Sequence, residues 1–257
     1  MANTRELRRR IRSIKNTSQI TKAMQMVAAT KMRRAQNQAV LGRSYEENLN
    51  FSVNTLLPKV EIDAHPLLGG KEIASSKTPR NDGVVGVLLL STNKSLCGAL
   101  NTNLFRAVQG QFGNDKDIKY FSYGLKGRNF VVRTGKTLEA DFESPEAVAF
   151  RQARQISNLV RNAFLEGLVK EVYLAFPDFV STLRQEPRIV KLLPIDLQAV
   201  IASETQAHLR GGVEKQSSSH LGGGQVVGEF LFEPNIDELL DFVLVHHIET
   251  QIYQALL

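Results

Sequence analysis

Residues 3–57 read NTRELRRRIRSIKNTSQITKAMQMVAATKMRRAQNQAVLGRSYEENLNFSVNTLL, and Pro58 follows. Asn3 and Glu6 have the spacing of a capping box, and neither Gly nor Pro occurs over residues 3–41. A long helix is expected to start here. Every seventh residue from Leu7 gives Leu7, Ile14, Thr21, Ala28, Ala35, Gly42, Leu49 and Leu56; the companion series is Ile11, Ser18, Gln25, Met32, Ala39, Glu46 and Val53. Ten of these fifteen positions are apolar and the register lasts to Pro58, which is the pattern of a coiled-coil seam. At about 1.5 Å per residue such a helix would be roughly 80 Å long. No domain of this size could bury it, so it is expected to project and to pack its seam on another long helix. A second apolar line, Ile20, Met24 and Val27, falls on a different face. Either the helix turns a different side to its partner there, or it uses one face for a coiled coil and another for a surrounding protein.

Charge is concentrated in the same segment. Residues 1–34 hold ten Lys/Arg against the single acid Glu6, a local net of +9, while the rest of the chain, with 22 basic and 25 acidic residues, is at −3. The partner of this segment should therefore be acidic: nucleic acid, anionic lipid or an acidic protein surface. An Arg-rich, acid-poor start also fits an import peptide, but the apolar register continues well past residue 40, so neither a signal nor a transit peptide is expected. No stretch approaches the roughly 20 apolar residues needed to span a bilayer, and membrane association is expected only through partners. Cys97 is the single cysteine, so no internal disulfide can form.

Periodicity is lost over residues 59–82, which contain Pro66, Gly69, Gly70 and Pro79 and read as a linker. An α/β region follows, opened by GVVGVLLLS over 83–91, apolar enough for a strand buried on both faces. A helix from about Leu100, a strand over 118–123, a helix over 145–167 and a strand over 171–176 come next, with further strands expected over 188–194 and 226–232. This alternation predicts an α/β fold with an open, doubly wound, mostly parallel sheet. Residues 211–224 (GGVEKQSSSHLGGG) form a flexible loop by composition. A second helix is expected after Pro234, capped by Asn235 with Glu238 and running to Leu257. The expected domains are thus 1–58, a long coiled-coil helix; 59–82, a linker; 83–233, the α/β domain; and 234–257, the short start of a C-terminal helix.

Enzyme signatures are not met. There is no GxxxxGK[ST] phosphate loop, and Gly222, Gly224 and Gly228 miss the GxGxxG spacing and precede an expected strand rather than a helix. Adjacent His246 and His247 point about 100° apart on a helix with no ligand one turn on, so they are expected to be solvated or paired with a nearby acid rather than to hold a metal. No catalytic residue, cofactor or metal site is expected. A nucleic-acid binder using the +9 segment is a different class of function, but that segment carries no aromatic residue to stack on bases, and nucleic acid is not expected as a partner.

Three stretches carry a family resemblance. RRRIRSIKNTSQITKAMQMVAATKMRRAQ (8–36) resembles the opening helix of F-type ATP synthase gamma subunits, STNKSLCGALNTNLF (91–105) resembles their strand-to-helix loop, and EFLFEPNIDELLDFVLVHHIETQIYQALL (229–257) resembles the final strand and the start of the C-terminal helix. Asn93, Ser95 and Ala99 stand where that loop usually has Asp, Gly and Gly. The resemblance implies a non-catalytic rotor shaft, whose two long helices form an antiparallel coiled coil inside a ring of alpha and beta nucleotide-binding subunits. The α/β domain would sit on the membrane ring of c subunits, beside an epsilon-type subunit, and rotation would couple proton flow to ATP synthesis. The implied place is the cytoplasmic face of a bacterial plasma membrane, held peripherally through the complex. Carried over by position, Ile20, Lys22, Met24 and Val27 would face the catalytic subunits, and Arg8, Arg9 and Arg12 would lie nearer the bearing at the top of the ring. The family's chain continues for roughly forty further residues of helix, so a truncated fragment without rotor activity is the alternative reading.

Overall fold

Arginine and alanine, both good helix formers, are well represented in the first helix, and no proline interrupts it. In the computed structural model it runs without a break as α1, Thr4–Leu56. Its turns are tied locally: Arg10 meets Glu6 at 2.9 Å, and the hydroxyls of Thr17, Thr21 and Thr30 each donate to the carbonyl four residues earlier. The structure describes residues 4–56, 65–68, 83–113, 117–145, 148–181, 184–195 and 236–257. The caps expected at Asn3 and Asn235, most of the 59–82 linker, the 211–224 loop and the strand over 226–232 lie outside these residues.

The chain divides into two compact units, residues 1–44 with 257, and residues 45–256. The first is the amino-terminal part of α1, exposed at every position from 4 to 34. The second contains the sheet: β1 (Val85–Leu90), β2 (Ile118–Tyr123), β3 (Thr137–Phe142), β4 (Glu171–Ser181) and β5 (Arg184–Leu193). Their order is β3-β2-β1-β4-β5. The first four are parallel, with Val85 level with both Ile118 and Glu171, and β5 returns antiparallel on β4 as a hairpin. Crossover helices α2 (Leu100–Phe112), α3 (Leu125–Arg133) and α4 (Phe150–Leu165) link the parallel strands, and α5 (Ile236–Leu256) ends the described chain.

β1 is central, and both of its faces are covered. Val87 and Leu89 point into a core with Leu104 and Val108 of α2 and Val131 of α3. Leu88 and Leu90 point the other way, into a core with Ile156 and Val160 of α4 and the stripe Leu240, Leu244, Ile248 and Ile252 of α5. A continuous apolar run is what a strand buried on both sides requires. Val53 of α1 and the single 3-10 turn Pro66–Leu68 join this second core.

Several elements depart from the sequence expectation. α3 and β3 stand where neither was anticipated, and the observed α4 is shorter at both ends than the expected 145–167. β3 reads TLEADF with alternate residues exposed, because it is an edge strand covered on one side only. α3 has nine residues, among them Gly127, and buries only Gly127 and Val131.

A closed crevice and an exposed helix

In an open α/β sheet, ligands bind beyond the carboxyl ends of the strands where the strand order reverses. Here that point is β1, flanked by β2 and β4. One strand over, the start of α3 also leaves its first three N–H groups without intrahelical partners. All three are occupied by the loop after β1. Leu125 N–H donates to Asn93 Oδ1 at 2.8 Å, Lys126 N–H to the Thr92 carbonyl at 3.2 Å, and Gly127 N–H to Ser91 Oγ at 2.7 Å. The Ser91 hydroxyl in turn donates to the Tyr123 carbonyl at 3.0 Å. Gly124 adopts φ +90°, and a Cβ there would lie 2.3 Å from the Ser91 carbonyl oxygen; one on Gly127 would lie 2.8 Å from Ser91 Oγ. Thus the loop after β1 closes over the start of α3.

That loop is itself knitted. Asn101 Nδ2 donates to Thr92 Oγ1 at 2.8 Å and to Cys97 Sγ at 3.2 Å, and Thr92 N–H donates to Asn101 Oδ1 at 3.3 Å. Asn93 also donates through Nδ2 to the Ser144 carbonyl at 2.5 Å, a bond that an aspartate could not make. The left-handed residues of the loop are Leu96, at φ 66°, and Gly98, at φ 60°. Neither Ser95 nor Ala99 needs glycine's freedom, which is why both are tolerated where the resembling loop has Gly.

The perturbed titratable groups are structural. Burial and then the hydrogen bond to, and charge of, Glu171 push the Tyr173 phenol up to about 12. For Glu171 burial acts upward, but hydrogen bonds from Lys191 and Tyr173 and the charges of Lys191 and Lys170 outweigh it and hold the carboxyl below its usual value. Lys191 Nζ reaches Glu171 Oε1 at 2.9 Å, so the carboxylate fastens β5 to β4. His247, expected to be solvated or acid-paired, is instead 1% exposed, and burial followed by the charge of His246 pushes its pKa down to about 4. Its Nδ1 has no hydrogen-bond partner among the described residues. His246 does meet an acid, Glu249, with Nδ1 3.8 Å from Oε2. The sequence did show that acid, three residues on.

The candidate interface residues of α1 are all exposed: Arg8, Arg9, Arg12, Ile20, Lys22, Met24 and Val27. At about 100° per residue, Ile20, Met24 and Val27 share a stripe about 60° wide, while Lys22 falls on roughly the opposite side. The seam residues Leu7, Ile11 and Ile14 lie about 120–180° round the helix from Ile20 and are exposed too. Both apolar lines of α1 therefore have open faces.

A family model described as ATP synthase matches residues 3–257. The ATP synthase gamma chain of Methylacidiphilum infernorum is 37% identical over 262 residues, and that of Heliobacterium modesticaldum 35% identical over 258 residues; each alignment covers all of this chain and 81% of the relative. The chain belongs to the ATP synthase gamma family. Among solved structures, the central stalk and c-ring of the Tetrahymena thermophila mitochondrial ATP synthase contains a chain with a TM-score of 0.58 at 21% identity, covering 92% of this chain and 91% of that one. At that identity the likeness is one of fold. It agrees with the gamma-family sheet and long helix described above.

Proposed function

We propose that this gamma-family chain is the central rotor shaft of a proton-translocating ATP synthase. Its partners would be a ring of alpha- and beta-type subunits around α1, an epsilon-type subunit and a membrane ring of c subunits at its base. The observation that carries the reading is the amino-terminal part of α1: 31 consecutive exposed residues, 4–34, bearing two apolar lines and a net charge of +9, against +6 for the whole chain. An isolated helix gains little from propensity alone, so such a surface calls for protein around it. The chain itself makes no bond in this reading. The working division is a shaft helix over 1–58, a linker over 59–82, an α/β base over 83–233 and a returning helix from 234. Among the described residues no helix is long and apolar enough to cross a membrane. Attachment at the cytoplasmic face of a bacterial membrane would therefore run through the c ring.

In the ring, Ile20, Met24, Val27 and Lys22 would meet the catalytic subunits, and Arg8, Arg9 and Arg12 the bearing. Co-expression with alpha- and beta-type subunits tests the assembly: the chain should co-elute with them at low and moderate salt, and elution alone removes the main support. Met24→Lys tests the contact. The variant should unfold thermally like the parent, because Met24 is 66% exposed, yet change ATP turnover of the assembled complex severalfold, since a charge would enter an apolar contact.

A further inference from the structure

Within residues 45–256, one polar chain joins three helices. Tyr45 of α1 places its hydroxyl 2.6 Å from His246 Nε2 of α5. On the other edge of the ring, His246 Nδ1 stands 3.8 Å from Glu249 Oε2, and Glu249 Oε1 is 3.4 Å from Arg154 Nε of α4. The imidazole thus has a polar neighbour on each nitrogen, the Tyr45 hydroxyl at Nε2 and the Glu249 carboxylate beyond Nδ1. Three aromatic rings hold that orientation: Phe242 stacks at 8°, Tyr45 meets the ring edge-on at 84°, and Phe150 lies at 54°. Glu249 is 6% exposed, and Arg154 also covers Phe150, 5.6 Å from its centroid.

Apolar packing such as the Leu240–Leu244–Ile248–Ile252 stripe is non-directional, and side chains within it can slide between similar rotamers under a twisting load. Charge-assisted and hydroxyl–imidazole bonds have fixed directions. A carboxylate as buried as Glu249 cannot release its partners without leaving a charge uncompensated. We propose that Tyr45–His246–Glu249–Arg154 is the torsional clamp of the rotor, with Glu249 the residue that positions α1 and α5 against α4 so that the α/β unit turns with the shaft. This rests on the shaft reading. A second histidine–carboxylate contact, His65 Nε2 to Asp241 Oδ1 at 2.5 Å, holds α5 one turn earlier and fits the same role of fastening that helix by directional bonds.

The test uses variants that keep the rings and remove the bonds: Tyr45→Phe, His246→Phe and Glu249→Gln. His246→Gln is the conservative control, because its amide can still bond to the Tyr45 hydroxyl and keep a polar group beside Glu249. In the assembled complex, with the catalytic ring fixed, angular fluctuations of a probe on the α/β unit report torsional stiffness. The angular variance should rise about twofold in His246→Phe and Glu249→Gln and stay near the parent in His246→Gln. Equal variance in all of them, or equal softening in both His246 variants, overturns the proposal. Amide exchange on the purified chain separates it from the shaft reading. Tyr45→Phe should speed exchange about tenfold in the turns around His246 and Arg154 as well as around Tyr45. A rise confined to α1 overturns the clamp whether or not the chain assembles.

Discussion

Residues 4–34 and residues 240–252 are both helix, both carry a regular apolar line, and have opposite fates. Leu7, Ile11, Ile14, Ile20, Met24 and Val27 stand half or more exposed, whereas Leu240, Leu244, Ile248 and Ile252 are 2% exposed or less. Periodicity thus specifies that a face needs covering, not what covers it. The distinction lies in neighbours: α5 has β4 and α4 within the chain, and the first part of α1 has nothing of comparable kind in its own unit. The difference should be plain in stability measurements. Leu244→Ala removes a fully buried side chain from the larger core and should cost about 3 kcal/mol in urea unfolding. Ile14→Ala should cost less than about 0.5 kcal/mol, since it trades an exposed β-branched residue for a better helix former. Equal losses would mean that the two helices are packed alike in solution.

Acid should attack the packed helix and spare the exposed one. His247 is neutral in the fold, with its pKa pushed down to about 4, against 6.5 unfolded. Between those values the unfolded chain takes up a proton that the folded chain does not. The stability is therefore fully present above pH 6.5 and is lost as the pH falls toward 4, by about 3 kcal/mol at the lower end. His247→Leu should flatten that part of the profile, while the carboxylates continue to titrate below it. An unchanged slope between pH 6.5 and 4 in the variant would show that His247 is hydrated in solution.

The elements legible in the sequence were those whose pattern is set by burial within a few residues. β1 reads as buried on both faces and is; β2, α4 and α5 follow from runs that keep one period. α3 and β3 were not legible, because a nine-residue helix and an edge strand with Glu139 and Asp141 outward carry few buried positions. On α1 the stripe of Ile20, Met24 and Val27 could be read directly from spacing. The closure of the crevice could not, since it depends on Asn93 capping Leu125 and Ser91 meeting Gly127 from 32 and 36 residues away. The role of Glu249 was missed for the same reason: only the fold brings Arg154 to it and Tyr45 to His246.

Threonines sharpen the comparison at its finest scale. Thr21, on the exposed part of α1, donates to the Thr17 carbonyl at 2.8 Å, as water would otherwise allow it to be satisfied. Thr250, 4% exposed on α5, has an Oγ1 with no hydrogen-bond partner among the described residues, as does Ser157 on the neighbouring α4. A buried hydroxyl left unpaired costs its desolvation, whereas an exposed one costs nothing when removed, because water replaces whatever it loses. Valine has the shape of threonine with a methyl in place of the hydroxyl, so neither substitution opens a cavity. Thr250→Val should therefore stabilise the chain by about 1 kcal/mol, while Thr21→Val should change it by less than about 0.3 kcal/mol. Chemical denaturation of the two variants side by side measures both. A loss of stability in Thr250→Val would show that its hydroxyl is bonded in solution, and would add a second polar contact to the α4–α5 seam beside Arg154–Glu249.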